Sequence, residues 1–272
     1  MSGNHYTIDD LLHVMIRLRN PESGCPWDVQ QDHVSLAPFT LEEAYEVVDA
    51  IERNDVDHLP EELGDLLFQV IFHAQVGSEN GTFDFSDVVH VLVAKLIARH
   101  PHVFPSGSID SARALDSEIS HQEISANWEK SKQYERNAKG RHGLLDDIPA
   151  ALPALTRAQK VQKRVSKVGF DWESLDGVLE KLREEIGELE DELASGSKAF
   201  AAEELGDLFF TLVNLARHMS LDAESVLRNA TAKFERRFNL VEQYAAEENH
   251  LIPEMDQASM DRLWLRAKQS TS

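Results

Sequence analysis

The sequence predicts an all-α protein built as a tandem repeat of two helical-bundle domains. Three observations carry this reading. Apolar residues recur at three- and four-residue intervals through most of the chain, and almost no stretch alternates as a strand does. The six residues Glu61-Glu62-Leu63-Gly64-Asp65-Leu66 return unchanged as Glu203-Glu204-Leu205-Gly206-Asp207-Leu208. Upstream of each copy stands a second acidic block, Glu42-Glu43-Ala44-Tyr45-Glu46 before the first and Glu184-Glu185-Ile186-Gly187-Glu188 before the second. Glu46 precedes Glu62 by the interval that separates Glu188 from Glu204.

Taken in order, Ile8, Leu11, Leu12, Met15, Ile16 and Leu18 predict an opening amphipathic helix with Thr7 as its N-cap. It stops near Asn20-Pro21, and Gly24-Cys25-Pro26-Trp27-Asp28 reads as a turn-rich loop from which Trp27 plugs a core. The next helix has Pro38 in its first turn, where a missing N–H costs little, and carries Glu42, Glu43 and Glu46 through to Ile51. After a turn at 54–60, Leu63, Leu66, Leu67, Val70, Ile71 and Ala74 form a second stripe on a helix holding Glu62 and Asp65. So short a connection makes the two helices antiparallel neighbours. A third helix over 85–99 ends at the two prolines of His100-Pro101-His102-Val103-Phe104-Pro105. Residues 105–114 read as an exposed loop and 118–134 as a helix containing Trp128 and Lys132. Residues 135–142 are polar and poor in apolar side chains. This places an N-terminal domain at 1–135, a linker at 136–148 and a C-terminal domain at 149–272.

The second half opens on a helix over 150–168 whose basic residues Arg157, Lys160, Lys163, Arg164 and Lys167 ordinarily mark a solvated face. Gly169-Phe170-Asp171-Trp172 then matches Pro26-Trp27-Asp28 as a turn with an aromatic plug, and helices follow over 175–194, 200–219, 223–248 and 259–268. The repeat extends past the acidic blocks. Lys95 and Arg99 fall against Lys233 and Arg237, and Trp128 with Lys132 against Trp264 with Lys268.

Composition bounds the partners. The chain carries 48 Asp plus Glu against 27 Lys plus Arg, a net charge of -21, which repels nucleic acid and anionic membranes. An anionic ligand then needs local cations or metal ions. Cys25 is the sole cysteine, which excludes an intrachain disulfide and a cysteine-rich metal knot. Met1 to Asp10 lack a basic start followed by an apolar run, and no apolar stretch approaches membrane-spanning length. A soluble cytoplasmic protein is expected, with no nucleic-acid or membrane partner.

On a helix, Glu185 with Glu188 and Glu204 with Asp207 each project two carboxylates in one direction. Four such groups brought together repel unless a cation neutralises them. Oxygen-only ligands favour Mg²⁺, with Mn²⁺ as a substitute, and Mg²⁺ commonly shares its shell with substrate phosphates. Lys233 and Arg237, one turn apart, then suit phosphate oxygens, Trp264 a base or sugar, and Lys181 a further phosphate contact. Singly, each of these would be ordinary helix surface or core, since Glu is a good helix former. Their joint recurrence in order is what a solvated face does not require. Di-iron bundles need Glu-x-x-His pairs, but Asp49 and Asp191 stand three residues after Glu46 and Glu188. No GxxxxGK phosphate loop is present.

In these residues the chain resembles the MazG family of nucleoside triphosphate pyrophosphohydrolases in its two-domain form. The likeness rests on the Gly-Cys-Pro-Trp-Asp stretch, both Glu-Glu-x-x-Glu blocks, both Glu-Glu-Leu-Gly-Asp blocks, Arg99 to Phe104, and Lys233 to Arg237. The resemblance implies two MazG-type helical bundles with the fold of dimeric dUTPases, and Mg²⁺-dependent hydrolysis of nucleoside triphosphates to monophosphate and pyrophosphate. Such an activity serves nucleotide-pool housekeeping or a stress response. It makes Glu185, Glu188, Glu204 and Asp207 metal ligands, with a weaker second set at Glu43, Glu46, Glu62 and Asp65. Glu203 becomes a candidate for orienting or deprotonating the attacking water. Lys181, Lys233, Arg236, Arg237, Trp264 and Lys268 become nucleotide contacts.

The halves are unequal. Phe39, Leu41 and Ala98 stand where the second half has Lys181, Arg183 and Arg236, so the second is expected to do most of the hydrolysis. Leftover apolar stripes predict a homodimer. The competing reading is a nucleotide-sensing or partner-binding scaffold that keeps the fold without catalysis.

Overall fold

The computed structural model describes residues 5–111 and 143–271. The expected helix over 118–134, with Trp128 and Lys132, and residues 136–142 of the expected linker lie outside the described residues. Every regular element among the described residues is a helix. The chain divides into two compact units, 1–134 and 135–272.

In the first unit, α1 (Ile8–Leu18) starts on Thr7, whose hydroxyl accepts from the Asp10 N–H while the Asp10 carboxylate accepts from the Thr7 N–H. Only Gly24 and Cys25 of the Gly-Cys-Pro-Trp-Asp stretch are loop. Pro26 starts a short helix, α2 (Pro26–Gln30), because its fixed φ and absent N–H suit a first helical position. Trp27 on α2 is 49% exposed rather than a buried plug, and it meets Phe39 and Phe72 edge-on. Helix α3 (His33–Glu52) begins earlier than expected, because Asp32 and Ser35 form a reciprocal cap, so Pro38 sits inside it. Helices α4 (Leu59–Glu79) and α5 (Phe85–Arg99) follow, and α4 packs against α1, α3 and α5. Their core is Met15, Leu36, Ile71, Phe72 and Val76, flanked by Leu11, Leu12, Phe39, Phe68 and Phe85.

One buried cation ties these elements together. The Arg19 guanidinium donates to Glu79 at 2.6 Å and to the Gln31 carbonyl at 3.0 Å, and lies 5.3 Å from the Phe72 ring. It also holds the Asp28 carbonyl. Gly24 is required just before α2, since a Cβ there would stand 2.3 Å from the Leu18 carbonyl oxygen.

The second unit contains α6 (Ala154–Ser166), α7 (Leu175–Ser195), α8 (Lys198–His218), α9 (Ala223–Glu247) and α10 (Gln257–Ser270), with a 3₁₀ turn at Ile252–Glu254. Gly196 ends α7 at φ 78°, a left-handed conformation that glycine adopts without a Cβ penalty. Helices α7 and α8 form the same close pair as α3 and α4. Polar ties join α6 to its neighbours: Gln162 donates to the Phe210 carbonyl at 2.7 Å, and Gln159 to that of Leu221 at 2.8 Å. The Arg164 guanidinium binds Asp147 at 2.6 Å and the Leu144 carbonyl at 3.0 Å, so this part of the expected linker is held on α6. Around Val241, Ala245, Leu263 and Ala267, the two alanines let α9 and α10 approach closely. No helix among the described residues is long and apolar enough to cross a membrane.

Candidate metal and nucleotide site

The paired helices α7 and α8 bring together acids that lie far apart in sequence. Glu185 and Glu188 stand one turn apart on α7, Glu204 projects from α8, and one carboxylate oxygen from each falls within 4.8 Å of the others. Glu185 is only 4% exposed, and its Oε2 is buried without a hydrogen-bond partner among the described residues. Its other oxygen receives the Lys181 ammonium at 2.9 Å, and the same ammonium lies 2.7 Å from Glu184. Glu184 and Glu185 together hold the lysine above its usual range, their hydrogen bonds outweighing its burial. Burial pushes the Glu204 carboxyl upward, and the charges of Glu188, Asp207, Glu185 and Glu192 push it further. A buried carboxylate oxygen with nothing to accept from, set among other acids, fits a hard divalent cation.

Asp207 lies outside the three-glutamate group, although its charge acts on Glu204. Glu203 is exposed, and as the immediate neighbour of Glu204 it leaves the helix in another direction. Glu192 bears on Glu204 but was not among the expected site residues. Its position one turn after Glu188 was the available signal.

The other expected nucleotide contacts stand on α9 and α10. Lys233 and Arg236 are exposed, and Arg237 donates to the Thr271 hydroxyl at 2.9 Å. Trp264 is half-buried, packs on the α9–α10 core and lies 5.1 Å from the Phe234 ring, so it borders that core with part of its surface exposed. Lys268 is partly buried one turn further along α10. The fold thus sets Lys181 beside the acids of α7, and packs Trp264 of α10 against Phe234 of α9.

An anchor before α7 helps set the register. The Asp171 carboxylate receives both terminal nitrogens of Arg217 and lies 3.0 Å from His218 Nε2. Burial would raise this carboxyl, but the hydrogen bonds from Arg217 and His218 prevail and hold it below the usual range. The entry to α7 is thereby fixed to the end of α8, and the acids of the two helices are held opposite one another.

The first unit repeats the acidic half of this design. Glu43, Glu46 and Glu62 also converge within 4.8 Å. Burial first, then the charges of Asp65 and Glu46, raise the Glu43 carboxyl, and burial with Glu46 raises that of Glu62. Where the second unit has Lys181, the first has Phe39, packed beside its core with its ring 5.6 Å from Trp27. The ammonium has been exchanged for a core contact.

Fold and site define a class of helical protein in which a two-helix acidic clamp is duplicated within one chain. The profile of the MazG nucleotide pyrophosphohydrolase domain matches residues 31–104 and 173–241, which hold both clamps. This chain belongs to that family. It is 49% identical over 263 residues to the nucleoside triphosphate pyrophosphohydrolase of Escherichia coli (strain K12), covering 96% of this chain and 97% of that one. It is 39% identical over 260 residues to the nucleoside triphosphate pyrophosphohydrolase/pyrophosphatase MazG of Thermotoga maritima, covering 96% and 95%. A crystal structure of a mazG-related protein from Thermotoga maritima aligns to 46% of this chain and 99% of its own with a TM-score of 0.38 and 27% identity.

Proposed function

We propose that the protein hydrolyses nucleoside triphosphates to monophosphate and pyrophosphate, cutting between the α and β phosphorus, with Mg²⁺ held chiefly in the second unit. The activity named for the Escherichia coli and Thermotoga maritima relatives supports this reading. The observation that carries it is the Glu185-Glu188-Glu204 group with its unpartnered buried oxygen and adjoining lysine.

Glu185, Glu188, Glu204 and Asp207 hold the metal, which when bound makes water more acidic and offsets charge on phosphate oxygens. Glu185 binds in a fixed direction because burial leaves it little freedom. Glu203, exposed at the start of α8, orients or deprotonates the attacking water. Lys181, Lys233, Arg236, Arg237 and Lys268 hold the phosphates, and the free face of Trp264 takes the base or sugar. Such a reaction suits nucleotide-pool housekeeping or a stress response in the cytoplasm.

The functional form is a homodimer. Leu205, Phe209 and Leu212 lie exposed at helical spacing on α8, and a Cβ on Gly206 beside them would meet nothing within 4 Å in its own chain. A second copy supplies the missing contact. Light scattering that finds a monomer at micromolar concentration overturns the dimer.

The test of the reaction is a panel of nucleoside and deoxynucleoside triphosphates with Mg²⁺, with products separated. Monophosphate plus pyrophosphate is expected. Diphosphate plus phosphate as the main products overturns the proposal, and binding without turnover favours the nucleotide-sensing scaffold.

A further inference from the structure

We propose that Lys181 is a tethered counter-ion that competes with the metal, so that loading the second unit displaces its ammonium from Glu185. The inference rests on the reading of Glu185, Glu188 and Glu204 as the metal-holding group. Glu185 is almost wholly buried, and a buried carboxylate without a balancing positive charge is costly to ionise. Lys181 supplies that charge, 2.9 Å from Glu185 Oε1 and 2.7 Å from Glu184, on a side chain that is itself one-third exposed. The opposite oxygen, Glu185 Oε2, is the one without a hydrogen-bond partner among the described residues. The lysine therefore balances one side of the carboxylate and leaves the other bare.

A dication beside Glu185 and an ammonium on the same carboxylate repel each other strongly at such separations. The ammonium is the more mobile of the two, because it rides on a flexible four-carbon stem that reaches solvent. Leaving Glu185, it becomes free to pair with an anion, and the phosphates of the substrate are the anions this site receives. One side chain thus links metal loading to phosphate binding. The first unit is an internal contrast, since Phe39, packed on the core, occupies the place where the second unit has Lys181.

The test is Mn²⁺ binding without nucleotide, followed by electron paramagnetic resonance, on the full-length wild type and on Lys181→Met, Lys181→Arg and Glu204→Gln. Glu204→Gln identifies the second-unit site as the binding it removes. At that site Lys181→Met is expected to bind Mn²⁺ about tenfold more tightly, the size of a unit charge acting on a dication roughly 6 Å away in a water-like dielectric. Lys181→Arg should stay near wild type, and binding at the first-unit site should not change. Should Lys181→Met fail to fold by circular dichroism, Lys181→Gln removes the charge while keeping a donor to Glu185, and the same tightening is expected. Unchanged or weaker binding in the charge-removing variants overturns the inference and makes Lys181 an orienting partner of Glu185. If Glu204→Gln removes no Mn²⁺ binding from the wild type, the metal reading of the site falls, and this inference with it.

Discussion

Glu185 and Glu204 illustrate how one residue type takes different roles from its surroundings. Glu185 is buried and paired with Lys181, whereas Glu204 faces other acids and its carboxyl is pushed upward by burial and by Glu188, Asp207 and Glu185. A carboxyl raised in the folded state costs stability once the pH has risen from its ordinary value of 4.5 through the higher folded one. At neutral pH that cost is fully present. Metal-free Glu204→Gln should therefore melt at a higher temperature than wild type at pH 7, with the gap closing as the pH falls below 4.5. Thermal melts in a chelator check this, and a variant that melts lower at pH 7 would show that the acids do not strain the site. The same substitution should cut turnover on the order of a thousandfold, because several kcal/mol of charge stabilisation go with the ligand.

At the scale of elements, two features of the helices make distinct predictions. Arg19 holds α1, α2 and the end of α4 through one guanidinium, and its hydrogen bond holds the Glu79 carboxyl below the ordinary range, against burial. Arg19→Met should cost about 3 kcal/mol in chemical denaturation, since buried acceptors are left without a donor. The contribution from Glu79 is present above its unfolded pKa and is lost as the pH falls through the depressed folded one, so the gap between variant and wild type should narrow in acid. Gly206 presents the opposite case. In mid-helix, alanine is better than glycine by about 1 kcal/mol, and nothing within the chain forbids the added carbon. Gly206→Ala should stabilise the isolated chain yet weaken its self-association, measured by denaturation at low concentration and by light scattering at high concentration. Association as tight as in wild type would remove Gly206 from the interface.

For the whole molecule, the central question is why one chain carries two acidic clamps. Both are built from paired helices, and both gather three glutamates within the same distance. They differ in what stands one turn before the buried end of the clamp, Lys181 in one and Phe39 in the other. With its ammonium traded for packing, the first unit is expected to contribute fold, regulation or a weaker site. Glu185→Ala should abolish most turnover and Glu43→Ala far less, as measured by pyrophosphate release. Equal losses would mean that the clamps work as one.

The sequence alone determined the helical class, the duplication and most of the acid set, because period and spacing are properties of a single helix. The extent of α5, over 85–99, was legible from apolar recurrence and the prolines after it, and the cap at Thr7 from its hydroxyl and the stripe that follows. Pro38 lies inside α3 and not in its first turn, because the Asp32–Ser35 cap stands earlier and outweighs the local signal of a proline. Trp27 is half-exposed and no plug, since an aromatic in a turn-rich stretch does not reveal how much of it neighbouring helices cover. Only the tertiary structure decided that Glu185 is buried, that one of its oxygens has no hydrogen-bond partner among the described residues, and that Lys181 occupies the other. Those facts depend on how α7 packs against α8. Helical spacing fixes which side chains share a face, while burial and the balance of charge are set by the helix on the other side.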